Sequence, residues 1–150
     1  MIDLWPDNIG EVKVKSPVTI LREQASLLGQ KTKNIVQAEV VDAHRTEAFI
    51  YGFLIVGPAL GNYRFRLLMI RHDISLYPVL IDVEEKILEE IGAKLRTEPD
   101  EDDPEKYWIV ADDEEEFVES LKAIFGAQKT KRVIAALLSQ SDPNWEPPLF

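Results

Sequence analysis

Four strand-like segments follow one another along this chain with only short connections between them. Residues 35–40 alternate apolar and polar side chains, residues 48–56 are apolar on both faces, and residues 63–71 and 77–83 give two further strands. A parallel pairing would need a crossover of about a dozen residues or more, which loops such as 57–62 cannot supply. The sequence therefore predicts a mostly antiparallel meander, with 35–40 at its edge and 48–56 in its centre.

Helix caps and the helical spacing of apolar residues predict four helices. One begins at Ser16-Pro17, before the strands. Three follow the strands: residues 84–95, a helix capped by Asp112 or Asp113, and residues 128–140. Residues 107–110 are a candidate fifth strand. The predicted fold is α+β, a single mostly antiparallel sheet of four to five strands, with one helix before it and three after it.

Composition narrows the class of protein. At 150 residues, 45% of them apolar, the chain can form one globular domain, 1–150, in which we distinguish an acidic loop, 98–106, and a C-terminal tail, 142–150. The absence of cysteine excludes disulfides, thiolate metal sites and cysteine nucleophiles. The N-terminus lacks the pattern of a secretion signal, and no apolar run reaches the ~20 residues of a membrane span. We expect a cytoplasmic protein with no membrane contact, and a pI near 4.7 disfavours nucleic acid as a ligand.

Negative charge is concentrated in one segment. Between Glu98 and Glu119 the chain has twelve Asp or Glu and one Lys, a net charge of -11, while the whole chain carries -10. Such a segment can hold cations or recruit a partner. The candidate binding residues are Asp100, Glu101, Asp102 and Asp103 in the loop, and Glu114, Glu115 and Glu116 at the helix start.

These acids allow three interpretations: a metal site, a helix-stabilising or solvated surface, and a surface that binds a partner. The loop lacks the alternating ligands, central glycine and distal glutamate of a helix-loop-helix calcium site, so we predict no metal. Acids in the first turn of a helix are also stabilising in themselves, and an acidic loop is often only a solvated surface. The third interpretation is that the segment imitates a polyanion or docks on a basic partner, as immunity-type proteins do.

A short repeat gives a candidate anion site. The sequence Gln-Lys-Thr-Lys occurs at 30–33 and again at 128–131, where it opens the last predicted helix. Free N–H groups at a helix start, together with Lys129 and Lys131, suit a phosphate or carboxylate. The competing use of these lysines is pairing with the acidic segment of the chain itself.

Two arginines and a histidine form a second candidate site. Arg64 and Arg66 share one face of their strand, whereas Arg71 is predicted on the other face by the period of two. The arginines suit a carboxylate ligand, or simply pair with Glu39 or Glu47 across the sheet. Beside Asp73, His72 is a candidate general base, with a turn histidine as the ordinary alternative.

The central strands are apolar on both faces, and this pattern indicates how the chain could associate with a partner. If the helices cover only one face, the other is left for association, and we predict a homodimer through this face or through the tail 145–150. The alternative is that the N-terminal segment and the tail fold back over it.

We predict a non-enzymatic cytoplasmic protein-interaction or regulatory protein, immunity-like in type, that uses an acidic surface. The chain has the general character of a bacterial protein, an impression that carries no mechanism. We assign no catalytic residue, metal or cofactor. The alternative is a small-molecule or anion-binding protein, or a hydrolytic enzyme, with its site near Arg64, Arg66 and His72.

Overall fold

A computed structural model of the chain describes residues 1–11, 13–45 and 47–148. Its centre is an antiparallel sheet of six strands in the order β1-β2-β3-β4-β6-β5. The strands are β1 (Gln37–Asp42), β2 (Phe49–Gly57), β3 (Tyr63–His72), β4 (Val79–Val83), β5 (Thr97–Pro99) and β6 (Tyr107–Ala111). The helices are α1 (Pro17–Lys31), α2 (Glu85–Ile91), α3 (Glu114–Phe125) and α4 (Gln128–Ser141), and a 3-10 turn, Gly92–Lys94, extends α2.

The α+β prediction is confirmed, including the edge position of β1, and β2 is an inner strand paired on both sides, next to that edge. The sheet has one strand more than the four to five predicted, because β5 overlaps the start of the predicted acidic loop 98–106. With only three residues, β5 is too short to show an alternating pattern, and it is defined by its pairing with β6. The chain passes through α2 between β4 and β5, and the β5-β6 hairpin then returns with β6 next to β4.

The predicted helix starts are also found in the structure. Pro17 occupies the first turn of α1, and the hydroxyl of Ser16 accepts a hydrogen bond from the amide of Thr19. At the start of α3, Asp113 caps the helix by accepting the amide of Glu116 at 2.8 Å. Among the described helices, none has both the length and the apolar character needed to cross a membrane.

The hydrophobic core lies on one face of the sheet. All four helices contribute to it, so they form a single layer against that face. Its largest fully buried side chains include Phe53, Ile55, Ile70, Ile81 and Ile109 from the sheet, and Leu21, Ile87, Phe117 and Ile124 from the helices. Within the described part of the chain, no helix covers the opposite face.

A β-bulge in β3 changes which residues point away from the helices. Phe53 pairs with Leu68, but the next residue of β2, Leu54, pairs with Arg66, so Leu67 is an extra residue in β3. The extra residue reverses the alternation beyond it. Arg71, which pairs with Ile50, therefore lies on the same face as Arg66, and the prediction of opposite faces is wrong.

Candidate functional site

The structure divides the acidic segment into two clusters. The turn acids, Asp100, Glu101, Asp102 and Asp103, lie in the β5-β6 hairpin turn. The helix-start acids, Glu114, Glu115 and Glu116, follow the other end of β6. A strand of this length separates its two ends by about 17 Å. The acids predicted as one segment are therefore two separate patches at opposite ends of β6.

Within the turn, Asp100 has a structural role. Its carboxylate accepts the amides of Asp102 and Asp103 at 3.1 and 3.0 Å, and the indole N–H of Trp108 at 2.8 Å. The hydrogen bond from Trp108, followed by the one from the Asp102 amide, lowers the pKa of Asp100. Glu101 is exposed, and its side chain has no hydrogen bond or ion pair with a described residue. Glu101 is therefore available to a partner in a way that Asp100 is not.

Two of the helix-start acids also have internal roles. Glu116 accepts the amide of Asp112 at 3.1 Å, which closes the chain around the helix start. Glu114 accepts the amide of Lys15 at 2.8 Å and so fixes the segment that leads into α1. The ordinary explanation of these acids, stabilisation of the helix start, therefore accounts for part of the cluster.

Arg96 is the only described cation that forms an ion pair with the acidic segment. It pairs with Glu98 at 2.9 Å and makes a close contact with Asp112. These hydrogen bonds, with Glu98 contributing most, raise the pKa of the Arg96 guanidinium. Beside it lies an open cleft of about 430 Å³ that Glu115 and Glu119 also line. Arg96 thus pairs with two carboxylates, and the other acids of the segment form no ion pair within the described chain.

The sheet face opposite the helices, called the open face below, combines an apolar centre with charged side chains. Strand register places five half-buried apolar residues on it, none of which belongs to the helix-packed core: Val41, Ile50, Leu54, Met69 and Leu80. The N-terminal residues Ile2 and Leu4 are 82% and 87% exposed, so they do not fold over this face. In the tail, Leu149 and Phe150 lie outside the described residues.

Most charges of the open face are paired within the sheet. Arg64 pairs with Glu39 at 2.9 Å across β2, as the across-sheet alternative predicted. Arg66 lies 3.5 Å from Asp82 on β4. Arg71 is exposed and forms no ion pair with any residue of the described ranges. Because Arg64 and Arg66 are engaged with separate carboxylates, they do not form a clamp for one ligand.

Trp108 links the open face to the hairpin turn. Lys106 reaches Asp82 at 3.6 Å and lies over the Trp108 ring, 4.3 Å from its centroid. The same indole donates to Asp100. The turn acids therefore lie at the edge of the open face and are fixed to it through Trp108.

His72 does not join the arginines. It lies on the helix-covered face, is 7% exposed, and stacks on Phe49 with ring centroids 5.5 Å apart. Its Nδ1 lies 2.7 Å from the carbonyl oxygen of Asp73, so this nitrogen donates and Nε2 is left without a partner among the described residues. The structure thus does not bring Arg64, Arg66 and His72 into one cleft.

The predicted anion site at the start of α4 is occupied by a carboxylate of the chain itself. The amide of Gln128 donates to both oxygens of Glu90, at 2.9 and 3.1 Å. The hydroxyl of Thr130 donates to a backbone carbonyl at 2.7 Å and is buried. Lys129 and Lys131 form no ion pair within the described ranges, so they do not neutralise the acidic segment.

No group of three His, Cys, Asp or Glu side chains within the described part of the chain is placed to hold a metal ion. Comparisons with protein families, with curated proteins and with solved structures find no significant match.

Sequence reasoning did not identify Trp108 or Glu90, and it placed Arg71 on the wrong face. Arg71 was assigned to the wrong face because the bulge at Leu67 has no sequence signal. No alternation marks Trp108, because residues 107–111 are all apolar and both Ile109 and Val110 are buried. The contact of Glu90 with α4 joins residues 38 positions apart, which no local pattern indicates.

Proposed function

We propose that this protein is a non-enzymatic interaction protein whose partner is a basic protein. One observation carries the proposal: of the twelve acids between Glu98 and Glu119, only Glu98 and Asp112 form ion pairs within the described chain, both with Arg96. A charged surface that its own molecule leaves uncompensated attracts a partner of opposite sign and speeds the encounter.

The open face supports docking once the partner has arrived. It presents an apolar centre that no described helix covers, and its arginines at 64 and 66 are already paired with carboxylates. A sheet face with apolar residues and no covering layer suits an interaction site, and paired charges limit the number of groups that would lose water without compensation. The partner surface that fits is an apolar patch with lysine or arginine at the side that meets the turn acids.

A second copy of the chain is the competing occupant of the open face. Two copies would each bring a net charge of -10, and their mutual repulsion opposes association, more strongly at low salt. A basic partner has the reverse salt dependence. We therefore favour the basic protein and treat the homodimer as an outcome of the test. We further propose a cytoplasmic location, which a chain without cysteine permits.

The test compares two variants with equal loss of charge. E101Q/D102N removes two acids at the hairpin turn, and the control E89Q/E146Q removes two exposed acids elsewhere. Each protein is used to capture partners from a bacterial extract at low and high salt. A retained basic protein is then purified, and its association and dissociation rates are measured against every variant.

We expect the turn variant to lower the association rate constant by about tenfold at low salt and the control to leave it unchanged. A third variant, V41K, introduces a charge among the apolar residues of the open face, on its edge strand β1, and should mainly raise the dissociation rate. Capture of no basic protein, or equal binding by E101Q/D102N and the control, would overturn the proposal. So would a stable dimer in light scattering that V41K dissociates, because the open face would then belong to a second copy.

A further inference from the structure

A cleft of about 250 Å³ lies on the helical side of the sheet, between α1 and α4. Three sheet residues form its floor, Phe53, Ile55 and Leu67, and each is at most 2% exposed. The cleft thus opens at the surface of the helical layer and is closed at its base by core residues. It lies on the opposite side of the sheet from the open face and is independent of the proposed partner site.

The walls of this cleft are also apolar. Leu27 of α1, which is 41% exposed, stands at the surface, and Phe125 and Ile134 come from the region of α3 and α4. The ring of Phe125 lies 5.4 Å from the ring of Phe53, so wall and floor form one aromatic surface. A ligand here would transfer apolar surface out of water, which is the main favourable contribution to binding in such a site.

Polar groups are few, and only one is charged. Lys31, the last residue of α1, lines the cleft and makes no ion pair within the described part of the chain. Gln24 lies two helical turns before it, on the same face of α1, and lines the same cleft. The hydroxyl of Thr130 is already used in a hydrogen bond to Ile124. With one cation and no acid in the lining, the cleft is complementary to a ligand with a single negative charge.

We propose that this cleft binds a small apolar carboxylic acid, with its hydrocarbon part on the floor and its carboxylate at Lys31. The volume exceeds the roughly 150 Å³ of a dry cavity that holds benzene, and it is below the ~300 Å³ at which sites for drug-sized ligands begin. A second cleft of about 280 Å³ adjoins it, because Gln24 and Phe125 line both. This continuation, lined by Val118, Leu121 and Lys122 of α3, lengthens the cleft and favours a straight chain over a compact ring. The ligand class is therefore the medium-chain fatty acid.

Octanoate is the probe for the test, with octan-1-ol as the matched uncharged ligand. Binding to the full chain is followed by calorimetry and by the methyl resonances of Leu27 and Ile134. The variant K31M removes the charge and keeps the length of the side chain, and K13M removes an exposed lysine outside the cleft. The variant L27W replaces leucine by the larger indole side chain and so blocks the entrance.

We expect saturable octanoate binding that shifts both methyl resonances. K31M should weaken octanoate about tenfold or more, leave octanol unchanged and differ from K13M, because a charge-assisted hydrogen bond is lost. L27W should abolish binding of both ligands while its melting temperature stays near that of the wild type. The proposal fails if octanoate does not saturate at millimolar concentration, if K31M and K13M bind it equally, or if resonances outside the cleft shift instead.

Discussion

Trp108 and Asp100 are hydrogen-bonded at 2.8 Å across the β5-β6 hairpin turn. The bond joins an aromatic ring of the open face to the acidic turn at its edge, and the same carboxylate holds the amides of Asp102 and Asp103. One side chain therefore fixes both the shape of the turn and its attachment to the sheet. The turn acids that remain exposed are presented on this support.

The contribution of Asp100 to stability should disappear in acid. Its pKa is lowered in the folded protein, chiefly by the Trp108 indole, so protonation is harder in the folded state than in the unfolded one. The stabilisation is complete above the ordinary pKa of about 4 and is lost as the pH falls through the folded pKa. We expect D100N to melt below the wild type at pH 7, and the gap in melting temperature to close in acid. The control D7N should have the melting temperature of the wild type at every pH. A difference in melting temperature between D100N and the wild type that does not depend on pH would contradict the prediction.

The hydroxyl of Tyr77 should ionise at a higher pH than an ordinary tyrosine. Burial, and then the charges of Glu114 and Asp113, raise its pKa to about 12, and its hydroxyl donates to the carbonyl of Lys15 at 3.0 Å. Because the neutral form is favoured on folding, its stabilisation is complete below the ordinary pKa of about 10 and is lost as the pH rises from there through 12.

The measurement for Tyr77 is tyrosinate absorbance as a function of pH, for the wild type and Y77F. The chain has four tyrosines, so Y77F should remove one quarter of the total change, and the part removed should lie near pH 12. Loss of an early part of the titration in Y77F would show that the tyrosine is not held as described.

The sheet and helices were predictable because each element has a local signal. Strand alternation, the caps at Ser16 and Asp113 and the short strand connections are all readable within a few residues. The bulge at Leu67 is not, since it depends on how β3 fits against β2. One unpaired residue was enough to change the face of Arg71 and with it the composition of the open face.

The candidate site was predictable in composition but not in arrangement. The charge of the segment from Glu98 to Glu119 is visible in the sequence, whereas its division into two patches follows from β6 lying between them. The same limit applies to the start of α4. The repeat at 128–131 indicated a site for a bound anion at this helix start, but only the packing of α2 beside α4 shows that Glu90 of the chain itself contacts the Gln128 amide there.

Phe117 should be one of the most sensitive positions of the core. It is fully buried on α3, and its ring meets the edge of Tyr77 with centroids 6.3 Å apart. Replacement by alanine removes a large apolar side chain and leaves a cavity, which should cost about 3–5 kcal/mol in the free energy of unfolding. Urea denaturation measures this. The adjacent control V118A changes a side chain that is 44% exposed and should alter stability by no more than about 0.5 kcal/mol, and equal effects of the two variants would refute the core assignment.

Glu90 should stabilise α4 from a neighbouring helix. Ala127, the residue before α4, has no side chain that can cap it, so the amide of Gln128 depends on Glu90. We expect E90A to lower the free energy of unfolding by about 0.5–2 kcal/mol, the usual cost of losing a helix cap. E90Q keeps an acceptor and loses the charge, so it should fall between E90A and the wild type, and its deficit should shrink in high salt because the interaction with the helix dipole is screened. The control E89A removes an exposed acid of the same helix and should be close to neutral. If E89A and E90A are equally destabilising, the loss comes from α2 itself, and the hydrogen bonds from the Gln128 amide to Glu90 do not stabilise α4.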